Sequence, residues 1–159
     1  MESDEYIIDN YDIIRTLGKG GQGSVLLVQK KGEKDESKRI ALKKILSVPK
    51  EGQTLEEAIE KAILEIRILE KISKPSCNPY ISCYYDHYVN SDDGIIYIEM
   101  EYIKGPNLKR YRYELFDKKP FNLKYIVTEI YKIIKNITLA LQYIHQNGIL
   151  HLDIKPENI

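Results

Sequence analysis

The chain has 159 residues, about one domain's worth and enough to bury a core of its own. Hydrophobic residues make up 43% and charged residues 30%, a balance that excludes a disordered chain. The 24 basic and 24 acidic side chains cancel, so no global charge argues for nucleic acid or an anionic membrane as partner, and only a local basic patch stays open.

The acidic start M-E-S-D-E-Y lacks the apolar run of a secretory leader, and no stretch approaches ~18 consecutive apolar residues. The expected protein is therefore neither secreted nor membrane-spanning, and is cytoplasmic or otherwise intracellular. Residues 1–10 read as a loose arm. From Tyr11, Ile13, Ile14 and Leu17 lead into Gly18-Lys19-Gly20-Gly21-Gln22-Gly23, and Ser24 to Val28 follows as an aliphatic run. Strand, turn, strand is the reading. In a dinucleotide-binding fold the glycines of G-x-G-x-x-G open a helix; the strand-like residues after Gly23 favour a hairpin instead. Glycines let such a turn approach a phosphate and leave backbone N–H groups free to donate to it. A flexible hairpin without a ligand is the alternative.

Residues 30–38 form a charged, solvated connector, and Arg39 to Ile45 reads as a third strand. With a period of 2, Ala41, Lys43 and Ile45 share one face, and Ile40, Leu42 and Lys44 the other. One lysine must then lie among apolar residues, where it needs an anionic partner. Thr54-Leu55-Glu56-Glu57 has the capping-box form, and a helical run follows to Ile72. Leu55, Ala58, Ile59, Ala62, Ile66 and Leu69 form its apolar stripe. Glu65 sits on one shoulder of that stripe and Glu70 on the other. Geometry prefers Glu65 as an ion-pair partner for the lysine without excluding Glu70.

Cys77 and Cys83 have no Cys or His pair nearby to complete a zinc site, and read as two ordinary thiols in a reducing compartment. Pro75 to Pro79 breaks the helix. Tyr80 to Val89 and Ile95 to Tyr102 read as strands around a turn at Asp93-Gly94. Five strands with a helix after the third make an α+β unit. Gly105-Pro106 marks a boundary, Asn107 to Phe116 reads as a short helix, and Tyr125 to Asn147 as a long one that ends at Gly148. Its stripe is Ile126, Ile130, Ile133, Ile134, Ile137, Leu141 and Ile144. The closing residues H-L-D-I-K-P-E-N-I put a candidate general base (Asp153), a cation (Lys155) and an amide oxygen able to reach a metal (Asn158) on one short segment. A polar tail with a proline turn is the other reading.

Taken together, these features resemble the eukaryotic-type protein kinase family. The glycine-rich loop matches at Gly18, Gly20, Gly23 and Val25, the strand lysine motif at Ile40-Ala41-Leu42-Lys43, and the catalytic loop at His151 to Asn158. Lys155 followed by P-E-N is similar to the serine/threonine branch. The resemblance implies a small lobe of five antiparallel strands plus its αC helix over residues 11–103. The hinge exit and the start of an incomplete helical large lobe would occupy residues 104–159. It implies ATP and Mg²⁺ as cofactors. The glycine loop would cover the phosphates, Lys43 would contact them, and Glu65 would orient Lys43. Leu17, Val25 and Ala41 would sandwich the adenine, with Met100 as gatekeeper and the backbone of Glu101 and Ile103 hydrogen-bonding it. Asp153 would accept the substrate hydroxyl proton, Lys155 would stabilise the transferred phosphoryl group, and Asn158 would hold Mg²⁺.

Two departures stand out. Leu152 occupies the place of the arginine that in the family commonly pairs with an activation-loop phosphate, so control by such a phosphate is not expected. No D-F-G aspartate, activation loop or A-P-E segment occurs within these 159 residues. The expected function is thus the N-terminal portion of a serine/threonine kinase, weak or inactive in isolation, with a complementing large-lobe segment as a partner and an unknown protein substrate. The alternative is a non-catalytic, kinase-like nucleotide-binding or regulatory module.

Overall fold

Five extended segments rich in Ile, Val, Leu and Tyr pair into one antiparallel sheet in the computed structural model, which describes residues 5–20, 23–117 and 121–159. Strands β1 (Tyr11–Gly20), β2 (Gly23–Lys30), β3 (Ile40–Leu46), β4 (Tyr84–Asn90) and β5 (Ile95–Glu101) lie in the order β1-β2-β3-β5-β4. Helix α1 (Glu5–Asn10) precedes them, α2 (Leu55–Ser73) joins β3 to β4, and α3 (Leu108–Phe116) and α4 (Leu123–Gln146) follow β5. The α+β arrangement agrees with the expected one. By contacts the chain divides into two units, Met1–Cys77 with Ser82–Tyr102, and Asn78–Ile81 with Ile103–Ile159.

In the first unit a cluster of buried residues lies on each face of the sheet. On one, Val28, Ile40, Leu42, Ile95 and Tyr97 pack with Ile7 and Tyr11. The arm expected to be loose therefore carries a helix, whose Ile7 is 3% exposed. A polar group lies in this layer: Glu99 is 6% exposed, accepts a hydrogen bond from the Tyr11 hydroxyl, and pairs with Lys30 Nζ at 3.0 Å. A buried carboxylate needs such partners. On the other face α2 docks through Ile66, which packs with Tyr84, Ile96 and Ile98. Its start is sharp because Thr54 Oγ1 accepts from Glu57 N (3.2 Å) while Glu57 Oε2 accepts from Thr54 N (2.9 Å), the expected capping box.

The strand expected from Tyr80 begins only at Tyr84. Asn78 Oδ1 accepts from Tyr80 N (2.9 Å) and Asn78 O from Ile81 N (3.2 Å), which holds the preceding residues in a turn. That turn brings Cys77 and Cys83 to a Cα separation of 5.4 Å, and the two are joined in a disulfide. The reading of two separate thiols is corrected. Spacing along the chain carried no sign of the return made by residues 78–81.

In the second unit Leu115 of α3 and Ile126 and Ile144 of α4 are buried, and Tyr111 Oη donates to Glu129 Oε2 at 3.2 Å. Burial pushes the Tyr111 hydroxyl up to about 12, helped by its bonds to Tyr125 and Glu129. Gly148 takes φ +72° just past the end of α4. The isoleucine stripe of α4 is only partly covered. Ile130 and Ile134 remain 39% and 58% exposed, and with Leu108, Phe116, Ile133 and Ile137 they line an apolar groove of about 460 Å³. Among the described residues no helix is long and apolar enough to cross a membrane.

Candidate functional site

The pairing of β2, β3 and β5 decides which side chains meet on the α2 face of the sheet. Val25 stands opposite Lys43, Lys43 opposite Ile98, and Ala41 opposite Met100, so all of these share one face. Val25, Ala41 and Met100 are each half-buried, forming an apolar patch with a lysine beside it. Leu17 is the extra residue of a β-bulge between the pairs Thr16–Leu26 and Gly18–Val25, and is also half-buried.

The glycine hairpin is formed, with Gly18 opposite Val25 and Gly20 opposite Gly23; its tip, Gly21 and Gln22, lies outside the described residues. The glycines differ. A Cβ at Gly18 or Gly20 would meet no atom within 4 Å, which leaves these positions open to a ligand. At Gly23, with φ +146°, a Cβ would run into the Lys44 carbonyl of β3. Here the absence of a side chain serves strand packing first.

Lys43 is exposed, and it is Lys44 that is half-buried, its ammonium 5.9 Å from the centre of the Tyr97 ring. The ion pair expected between Lys43 and Glu65 is not formed. Both side chains are exposed, and among the described residues neither takes part in a salt bridge. Water solvates each of them, which removes the need for the partner that burial would have imposed. Glu70, the other candidate, is engaged by Lys74 four residues on, whose hydrogen bond holds the Glu70 carboxyl below its ordinary value.

At the end of β5, Glu101 is tied to the segment before β4. Its N–H donates to Cys83 O at 2.8 Å, its Oε2 accepts from Cys83 N at 3.2 Å, and its carbonyl accepts from Ser82 Oγ at 3.4 Å. The N–H of Glu101 is thus used within the sheet, and only its carbonyl retains acceptor capacity for a ligand. Ile103, 64% exposed, has no described hydrogen bond on its backbone. The supporting role of Ser82 and Cys83 has no signal in the sequence, because it arises from pairing with a residue eighteen positions beyond Cys83.

The second unit assembles the closing loop. Lys155 Nζ lies 2.8 Å from Asp153 Oδ2, and Asn158 Nδ2 donates to the same oxygen at 2.9 Å and to Asp153 O at 3.0 Å. The hydrogen bond from Lys155, then that from Asn158, holds the Asp153 carboxyl below its ordinary range, so it is an ionised acceptor at neutral pH. Asp153 N donates to His151 Nδ1 at 3.3 Å. Leu152 adopts φ +60° and points its side chain to solvent at 89% exposure. The loop is fastened to the start of α3: Asn107 Nδ2 donates to Glu157 O (3.3 Å), Lys109 pairs with Glu157 (2.9 Å), and Leu108 N donates to Ile159 O (2.5 Å). The sequence carries no local sign of these anchors, since they join residues some fifty positions apart. Asp153, Lys155 and Asn158 are thus gathered at one point, as are Val25, Ala41, Lys43 and Met100 within the first unit.

A family model described as protein kinase domain matches residues 11–159. A probable serine/threonine-protein kinase of Dictyostelium discoideum is 33% identical over 153 residues, covering 96% of this chain and 34% of the relative. The serine/threonine-protein kinase PknD of Chlamydia trachomatis is 34% identical over 158 residues, covering 96% of this chain and 15% of the relative. The chain therefore spans about a third or less of the length of these curated relatives. Among solved structures, the Mycobacterium tuberculosis PknI kinase domain is similar at 26% identity and a TM-score of 0.61, covering 94% of this chain and 53% of that one.

Proposed function

We infer that this chain, which belongs to the protein kinase family, carries the ATP-binding lobe and catalytic loop of a serine/threonine protein kinase. The observation that carries this reading is the closed cluster of Asp153, Lys155 and Asn158. It lies within a family match that also takes in the glycine hairpin and Lys43. Residues 11–103 are taken as the small lobe and 104–159 as the start of the large one.

The residues present fit the two cofactors the family implies. Open space at Gly18 and Gly20 admits phosphate oxygens close to the backbone. Both described side-chain bonds of Asn158 run from Nδ2 to Asp153, which leaves Oδ1 to face a cation. Leu17, Val25, Ala41 and Met100 would clasp the adenine, with the Glu101 carbonyl and the Ile103 backbone as polar partners. Lys43 would hold the phosphates. Mg²⁺ when bound supplies charge neutralisation on the transferred phosphoryl group. Asp153, kept ionised, would orient a serine or threonine hydroxyl and take its proton, and Lys155 would steady the developing charge.

These 159 residues hold no D-F-G aspartate, and purified 1–159 is expected to transfer little or no phosphate. A complementing large-lobe segment would cover the open face of α4, and the site of action would be intracellular. A second reading, a nucleotide-binding or regulatory module without transfer, is favoured by the unpaired Lys43 and Glu65. Calorimetric titration with ATP and Mg²⁺ tests the first step. Lys43→Ala is expected to weaken binding by roughly tenfold or more, the scale of a lost charge-assisted hydrogen bond. Unchanged affinity in a folded variant overturns the assignment of Lys43. Strong Mg-ATP-dependent phosphorylation by 1–159, abolished by Asp153→Asn, would refute the expected inactivity.

A further inference from the structure

We propose that the Cys77–Cys83 disulfide is a thiol-responsive clamp on Glu101, so that its opening weakens nucleotide binding. The proposal rests on the reading of Glu101 as a nucleotide-facing residue. Glu101 stands opposite Ile40 of β3, and its described hydrogen bonds outside the strand ladders all join it to Ser82 or Cys83: Glu101 N to Cys83 O (2.8 Å), Cys83 N to Glu101 Oε2 (3.2 Å) and Ser82 Oγ to Glu101 O (3.4 Å). The carbonyl that would face the nucleobase is thus contacted by a segment that the Cys77–Cys83 bond ties back to the residues just after α2. Beyond that segment the sheet has independent support. Tyr84 N donates to Ser73 Oγ at 2.9 Å, and Tyr84 pairs with Met100. Opening the ring therefore acts on Glu101 while leaving the rest of β4 in register.

The accessibilities suit exchange chemistry. Cys77 is exposed, whereas Cys83 is 4% exposed. A dithiol reductant would attack with its thiolate at Cys77 Sγ. The S–S bond breaks, and Cys83 leaves as a thiolate that takes a proton. The reductant's second thiolate then attacks the mixed disulfide, closes its own disulfide and releases Cys77. The cysteine pair gains the two electrons and two protons that the dithiol loses. Intracellular disulfides of this kind are characteristically transient and redox-sensing.

The test uses residues 1–159 purified without reductant, with dithiothreitol as the dithiol. Alkylation read by mass spectrometry is expected to label no thiol before reduction and two after it. Labelling of both before reduction overturns the proposal. Amide hydrogen exchange at Glu101 is expected to speed up at least tenfold on reduction, with amides of the β1–β2 hairpin unchanged. ATP affinity, measured by calorimetry, is expected to fall at least threefold, and Cys77→Ser is expected to match the reduced protein and to ignore dithiothreitol. Exchange at Glu101 that is equal in the two states, or equal ATP affinity in two folded states, overturns the clamp. Absence of ATP binding in both states, with exchange at Glu101 still responsive, overturns the nucleotide reading instead and leaves the thiol-dependent clamping of Glu101 standing.

Discussion

Glycines with the same place in a motif have different physical duties, and substitution separates them. Gly18→Ala and Gly20→Ala meet open space, so each is expected to keep stability within about 0.5 kcal/mol while weakening ATP binding. Gly23→Ala drives a Cβ into the Lys44 carbonyl at φ +146°, and is expected to lower the urea midpoint whether or not a nucleotide binds. Urea unfolding beside ATP titration checks both; the reverse pattern would refute the division. Asp153 gives a pH prediction. Lys155 and then Asn158 depress its pKa below the ordinary 3.8, so their stabilisation is fully present above that value. It is lost as the pH falls through the lower folded value. Following the carboxyl carbon by NMR should give a midpoint below 3.8 that moves back toward it in Lys155→Ala. At this scale the sequence is a good guide to which residues share a strand face, because a period of 2 is local. It is silent on Lys43 against Lys44, since exposure depends on where Tyr97 and α2 lie.

Elements were legible in proportion to how local their signals are. α2 combines a capping box with a continuous apolar stripe, and its start at Leu55 follows from Thr54 and Glu57 alone. α4 is equally plain from its isoleucine spacing and Gly148. α1 escaped because six residues carry too few turns to show a period, and Ile7 is ordered by the sheet rather than by its neighbours. The start of β4 was set by hydrogen bonds to Asn78 that a tyrosine-rich run does not announce. The contact that holds α2 to the sheet is concentrated at Ile66, 1% exposed against Tyr84, Ile96 and Ile98. Ile66→Ala is expected to cost about 2–5 kcal/mol in urea unfolding. Ile68→Ala, at a position 40% exposed on the same helix, should cost far less. Equal losses would mean that α2 docks by another face.

For the molecule as a whole, the uneven covering of apolar surface matters most. The first unit sets a buried cluster on each face of its sheet, while the second leaves Ile130, Ile134 and Phe116 around a groove of about 460 Å³. A zero formal charge adds no long-range repulsion between copies. Purified 1–159 is therefore expected to self-associate with rising concentration, and Ile134→Lys to shift it toward monomer without loss of helicity. Light scattering coupled to size exclusion checks this, and a wild-type chain monomeric at all concentrations would refute it.

Glu99 carries a consequence for the shape of the sheet. In the order β1-β2-β3-β5, Tyr11 and Glu99 belong to strands three steps apart, roughly 14 Å in a flat sheet at ~4.8 Å per step. Side chains standing side by side on a plane would not close that span, yet the Tyr11 hydroxyl donates to Glu99. The sheet is therefore curled, and this hydrogen bond reaches across its concave side, joining the first strand to the one that ends at Glu101.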